Sequence, residues 1–131
     1  MRASTLNLDN YKTINDTYGH LNGDIVLKTA IEIVSKTLPP EALISRWGGD
    51  EFIIIFPNAE KAKEPAQELV KAIDQADFVL NGISRHITIS AGLAFLPNKN
   101  ICTVFDDFVR VADDCLYKAK QNGRNQVVLN Y

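Results

Sequence analysis

The sequence predicts an α+β fold, a mostly antiparallel sheet with helices packed on it. Two observations predict it. Short apolar runs of strand length are interspersed with longer stretches in which apolar residues recur every three to four positions. Two of the short runs, Ala42 to Arg46 and Phe52 to Phe56, flank Trp47 to Glu51, a spacing that reads as a β-hairpin with Gly48-Gly49 in the turn. The segments run β-α-β-β-α-β-α-β, which contains the ferredoxin-like βαββαβ unit. Such a sheet is expected to be antiparallel in the middle and covered by helices on one face.

Each element has its own pattern. Ala3 to Leu8 reads as a strand that runs into a polar loop, Asp9 to Asn22. From Asp24, at the expected N-cap, Leu27, Ala30, Ile31, Val34 and Leu38 recur at helical spacing until Pro39-Pro40 stops the helix. Ala62, Ala66, Leu69, Val70 and Ile73 mark a second amphipathic helix. Ile87, Ile89, Ala91 and Leu93 alternate with Thr88, Ser90 and Gly92, as in a strand buried on one face. A third helix carries Phe105, Phe108, Val109, Ala112, Leu116 and Ala119, with Gly123 suited to its C-terminus, and Gln126 to Leu129 reads as a last strand.

Size and charge exclude several classes of function. A chain of 131 residues forms one ordinary core, so residues 1–131 are expected to be a single domain. A net charge of −2 gives no basic face for nonspecific nucleic-acid binding. No apolar run approaches the roughly 20 residues that span a bilayer. Cys102 and Cys115 do not form a metal-binding pair, and a reducing, cytoplasmic setting is expected. Cys115 falls in an apolar helix pattern and reads as a core residue.

Four places carry residues suited to chemistry. The hairpin displays the adjacent acids Asp50 and Glu51 after two glycines that leave room for a ligand to approach, with Glu51 and Phe52 alternating outward and inward. The first strand ends in Leu6-Asn7-Leu8-Asp9, two oxygen-bearing side chains at alternate positions. Asp9 and Asp50 on neighbouring strands are expected to offer oxygen ligands to a hard cation such as Mg²⁺, although an Asx-type turn would also explain Asp9. In the loop from Asn10 to Asp24, a carboxylate such as Asp24 can accept from the donor edge of guanine, and an asparagine side-chain amide can donate and accept. Lys120 and Arg124, four apart at the end of the third helix, suit either the helix dipole or a terminal phosphate.

Together these segments resemble the GGDEF domains of diguanylate cyclases. Arg46-Trp47-Gly48-Gly49-Asp50-Glu51-Phe52 matches the signature in full. Lys12 to His20 followed by Gly23-Asp24, Thr88 to Gly92, Ala112-Asp113, and Leu116 to Lys120 followed by Gly123-Arg124-Asn125 match the remaining motifs in order. The resemblance implies a nucleotidyl-cyclase, polymerase-palm-like fold and the condensation of two GTP into cyclic di-GMP in an antiparallel homodimer. It implies that Asn15 and Asp24 recognise guanine, and that Lys12, Lys120 and Arg124, with backbone amides near Asn10 and Tyr11, contact phosphates. Gly48 and Gly49 would border the substrate. Asp50, the Leu8 carbonyl and the first-strand position held here by Asn7 would bind Mg²⁺ or Mn²⁺, and Glu51 would assist deprotonation of the attacking 3′-hydroxyl or orient the metal site.

The sequence departs from the family pattern at three places. Asn7 stands where the family has an acidic metal ligand, which favours slow turnover or, alternatively, a regulatory domain that binds GTP and signals to a phosphodiesterase or sensory domain. Pro39 and Ala42 replace the Arg and Asp of an inhibitory product site. The chain also begins almost at the first strand, without the helix that usually precedes it.

Overall fold

In the computed structural model, which describes residues 2–95 and 101–129, the strands are β1 (Arg2–Leu8), β2 (Leu43–Arg46), β3 (Glu51–Phe56), β4 (Phe78–Leu80), β5 (Ile83–Arg85), β6 (Ile89–Phe95) and β7 (Val127–Leu129). The helices are α1 (Tyr11–Tyr18), α2 (His20–Thr37), α3 (Lys63–Gln75) and α4 (Ile101–Gln121). The main sheet has the order β2-β3-β1-β6-β7. Its first four strands pair antiparallel, and β7 adds parallel to β6. Stripped of its extra elements this is the expected βαββαβ unit, with β1 at its centre. The expected positions Phe105 and Phe108 of α4, and Cys102, have side chains outside the described residues.

Both faces of the sheet are covered, not one. Leu6, Leu8, Phe52, Ile54, Phe56, Ile89 and Leu93 point to the face that packs on Val26, Ala30 and Val34 of α2 and on Leu69 and Ile73 of α3. The opposite face carries the small residues Ala3 and Ala94, which pack on Ala112 of α4. Small side chains there let α4 lie close. A Cβ at Gly92 would strike the Ala112 carbonyl oxygen and the Leu116 amide nitrogen of α4. Ser90, expected to face solvent, is therefore fully buried.

Two further elements differ from the expectation. The Asp9 to Asn22 segment is α1 and the first turn of α2 rather than a loop. Ile14 is buried and Tyr11 and Tyr18 pack against the same core, a three-to-four spacing hidden among polar neighbours. An eight-residue helix is marginal alone, so its packing holds it. The strands β4 and β5 form a separate hairpin around Asn81-Gly82, both with positive φ (53° and 78°), the geometry of a two-residue turn.

Candidate active site

The turn between β2 and β3 is held by its own arginine. Arg46 donates from Nε to the Gly48 carbonyl (3.2 Å) and from Nη2 to the Gly49 carbonyl (2.8 Å). The Trp47 amide donates to the Glu51 carbonyl at 2.9 Å, closing the turn. Neither Gly48 nor Gly49 has a positive φ. A Cβ at Gly49 would meet open space, and one at Gly48 would make only ordinary contact with Glu51. The fold of this chain therefore does not itself demand glycine here. The two glycines leave the outer surface of the turn open to close approach.

The turn is joined to the end of β1. Asn7 lies directly opposite Glu51 in the ladder. Its Nδ2 donates to the Asp50 carbonyl at 3.3 Å, and the Leu8 amide donates to the same oxygen at 3.2 Å. Asn7, Leu8, Asp50 and Glu51 thus meet at one end of the sheet. On the α4 side, Asn7 and Glu51 border a cavity of about 210 Å³ whose other walls are Asp113, Leu116, Tyr117 and Lys120. Partial burial pushes the Glu51 carboxyl up, and the charges of Asp113 and Asp50 push it further, while Lys120 pulls it down. Asp113 and the Arg46 clamp carry no separate role in the sequence reading. The spacing of Asp113 seven residues before Lys120, two helical turns, is the signal that places both on one side of α4.

Asp9 is not part of this group, which corrects the expectation that it pairs with Asp50 as a cation ligand. It is 4 % exposed, and both of its oxygens are used internally. Oδ1 accepts from Ser90 Oγ at 2.7 Å, and Oδ2 from Thr88 Oγ1 at 2.7 Å and the Asn125 amide at 3.2 Å. It anchors β6 and the segment after α4 to the end of β1.

A second group forms where α1 crosses α2. A Cβ at Gly23 would collide with the Asn15 side chain and lie 3.1 Å from the Tyr11 hydroxyl. Asn15 Oδ1 is buried there without a hydrogen-bond partner. Asp24 is exposed next to Gly23, but it lies inside α2 rather than at its N-cap, which is Gly19. The left-handed Asn10 (φ 59°) precedes α1 without a side-chain cap, so the first amides of α1 have no partner from that source. Lys12 is exposed on α1. Lys120 faces the Glu51 cavity. Arg124 lies beyond the end of α4, in a left-handed turn (φ 64°) after Gly123, and does not line that cavity.

The family model described as "Diguanylate cyclase, GGDEF domain" matches residues 3–126. The chain belongs to the GGDEF domain family. Among similar proteins are the probable diguanylate cyclase DgcT of Escherichia coli strain K12, 35 % identical over 128 residues, and diguanylate cyclase A of Treponema denticola, 35 % identical over 127 residues. The matches cover 95 % of this chain in both cases, but 28 % and 34 % of those proteins, so the chain spans about a third of their length. The active GGEEF domain of a diguanylate cyclase from Vibrio cholerae superposes with a TM-score of 0.86 at 31 % identity, covering 99 % of this chain and 82 % of that one. The GGDEF domain of DgcB from Caulobacter crescentus, solved in complex with c-di-GMP, gives 0.86 at 27 % identity over 98 % and 76 %. In this GGDEF domain, among the described residues, no three His, Cys, Asp or Glu side chains converge to hold a metal.

Proposed function

We propose that this GGDEF domain condenses two GTP into cyclic di-GMP, releasing pyrophosphate, as an antiparallel dimer in which each chain holds one GTP. The observation that carries this reading is the union of Asp50 and Glu51 with the end of β1 beside a cavity that Lys120 also faces. Asn15 and Asp24, at the α1–α2 crossing, would take guanine, with the buried Asn15 Oδ1 as acceptor. The uncapped amides of α1, with Lys12, Lys120 and Arg124, would hold the phosphates.

The residues present suit a hard divalent cation, Mg²⁺ or Mn²⁺. The Asp50 carboxylate, the Leu8 carbonyl and the Asn7 amide oxygen are all oxygen donors. With Asn at position 7 the set carries one negative charge fewer than a pair of carboxylates would. A cation bound there supplies neutralisation of the triphosphate charge. Glu51, whose proton affinity is raised, would accept the proton of the ribose 3′-hydroxyl. The 3′-oxygen then bonds to the α-phosphorus of the GTP on the other chain as the bond to pyrophosphate breaks. Lys120 and Arg124 would stabilise the charge that leaves.

A specific observation supports a second reading, a regulatory domain that binds GTP with little turnover. Asn7 turns its Nδ2 toward the Asp50 carbonyl, so a neutral, self-bonded amide stands at the metal position. Concentrated protein incubated with GTP and Mg²⁺ or Mn²⁺, with products read by mass spectrometry, tests both. An Asn7→Asp variant runs alongside. Cyclic di-GMP from the wild type establishes the cyclase. Product from the variant alone assigns the silence to Asn7, and GTP binding without product from either establishes the regulatory reading.

A further inference from the structure

We propose that the cavity between α1 and the β4–β5 hairpin is a second ligand site, for a small carboxylate with an apolar body. It encloses about 360 Å³, within the roughly 300–1,000 Å³ of small-molecule sites. Ile14, Leu80 and Ile87 contribute apolar surface to its lining, and Thr13 and Thr17 of α1 bring hydroxyls to it.

The charge pattern selects the ligand. Asp9 borders the cavity, but its two oxygens are occupied by Ser90, Thr88 and the Asn125 amide. His86 is paired with Asp74. Arg85 makes no ion pair among the described residues. Its guanidinium instead lies 5.6 Å from the centroid of the Tyr18 ring. A guanidinium set against an aromatic ring, with no carboxylate of its own, offers two parallel donors to a carboxylate, while the apolar lining takes the remainder of the molecule.

The site is separate from the candidate active site. None of the walls of the Glu51 cavity lines it. On α1 it uses Thr13, Ile14, Thr17 and Tyr18, whereas Lys12 and Asn15 fall on other parts of the helix circumference. Only Asn10 belongs both to this lining and to the expected phosphate contacts. A ligand here would bear on α1 from behind and hold Asn10, whatever the domain's own reaction.

Benzoate titrated into the ¹⁵N-labelled chain tests the proposal, followed by amide shifts. Benzyl alcohol serves as the neutral counterpart and inorganic phosphate as an anion without an apolar body. Saturable shifts at Thr13, Thr17 and Ile87 near about millimolar benzoate are expected. They should weaken about ten-fold or more for both comparison probes and for an Arg85→Gln variant whose spectrum is otherwise unchanged. The proposal is overturned by the absence of saturable shifts there, by equal binding to Arg85→Gln or of benzyl alcohol, or by shifts confined to Lys120 and Arg124.

Discussion

At the scale of single residues, the proposed function rests most heavily on position 7. An amide oxygen in place of a carboxylate would keep a ligand atom but remove a unit charge from the proposed cation site. Asn7→Asp is expected to raise Mn²⁺ affinity about ten-fold, measured by calorimetry, and to raise turnover with it. Unchanged affinity and rate would sink this account of Asn7. Glu51 gives a second residue-scale prediction. Burial and the charges of Asp113 and Asp50 raise its carboxyl, so the folded state binds that proton more tightly than the unfolded chain does. Its contribution to stability is greatest below the unfolded value and is lost as pH rises through the raised folded value. Glu51→Gln should therefore abolish turnover without lowering the melting temperature at neutral pH. A marked fall in melting temperature would mean that the Glu51 charge stabilises the fold. Asp9 acts through its hydrogen bonds. Asp9→Ala strips hydrogen bonds from Ser90, Thr88 and the Asn125 amide and should cost about 3 kcal/mol in denaturant unfolding.

At the scale of elements, one close approach governs how α4 packs on the sheet. α4 lies so near β6 that Gly92 leaves no space for a methyl group, and the two nearest atoms it would strike are backbone. Gly92→Ala should destabilise the chain by about 3 kcal/mol, since neither the Ala112 carbonyl nor the Leu116 amide can swing aside. The α2–β2 connection bears on product binding. Pro39 borders an open cavity with Glu41, Glu60, Lys61, Lys63, Glu64 and Pro65, where three carboxylates outnumber two ammonium groups. A dianionic dinucleotide meets net repulsion there. Calorimetry is expected to find no tight cyclic di-GMP binding near Pro39, and tight binding at that place would refute the reading.

At the scale of the whole molecule, the proposed half-site on each chain would make the rate depend on encounter. If each chain supplies one GTP, specific activity should rise with protein concentration and approach a plateau once the dimer predominates. Specific activity independent of dilution over about a hundred-fold range would contradict assembly on this timescale. Among the described residues no helix is long and apolar enough to cross a membrane.

The hairpin, the βαββαβ order and the family membership were legible in residue pattern alone, because strand alternation and a contiguous motif are local properties. The Asn81-Gly82 hairpin was equally legible as a turn between short apolar runs, yet it is absent from the element order read from the sequence. α1 was harder to see, since its apolar contacts are spread among lysine, threonine and asparagine and its stability is tertiary. The fate of Asp9 lay beyond local pattern. Its partners Thr88, Ser90 and Asn125 lie 79, 81 and 116 residues away, and only the closed sheet brings them to one carboxylate. The sequence by itself determined which chemistry-bearing residues the chain owns and the succession of the main-sheet strands along it. The tertiary structure alone decided that Asp9 turns inward to Thr88, Ser90 and the Asn125 amide, that Asp113 joins Glu51, and that helices cover both faces of the sheet. Those outcomes depend on which distant groups compete for a buried charge or for space between backbones, and no local spacing records that competition.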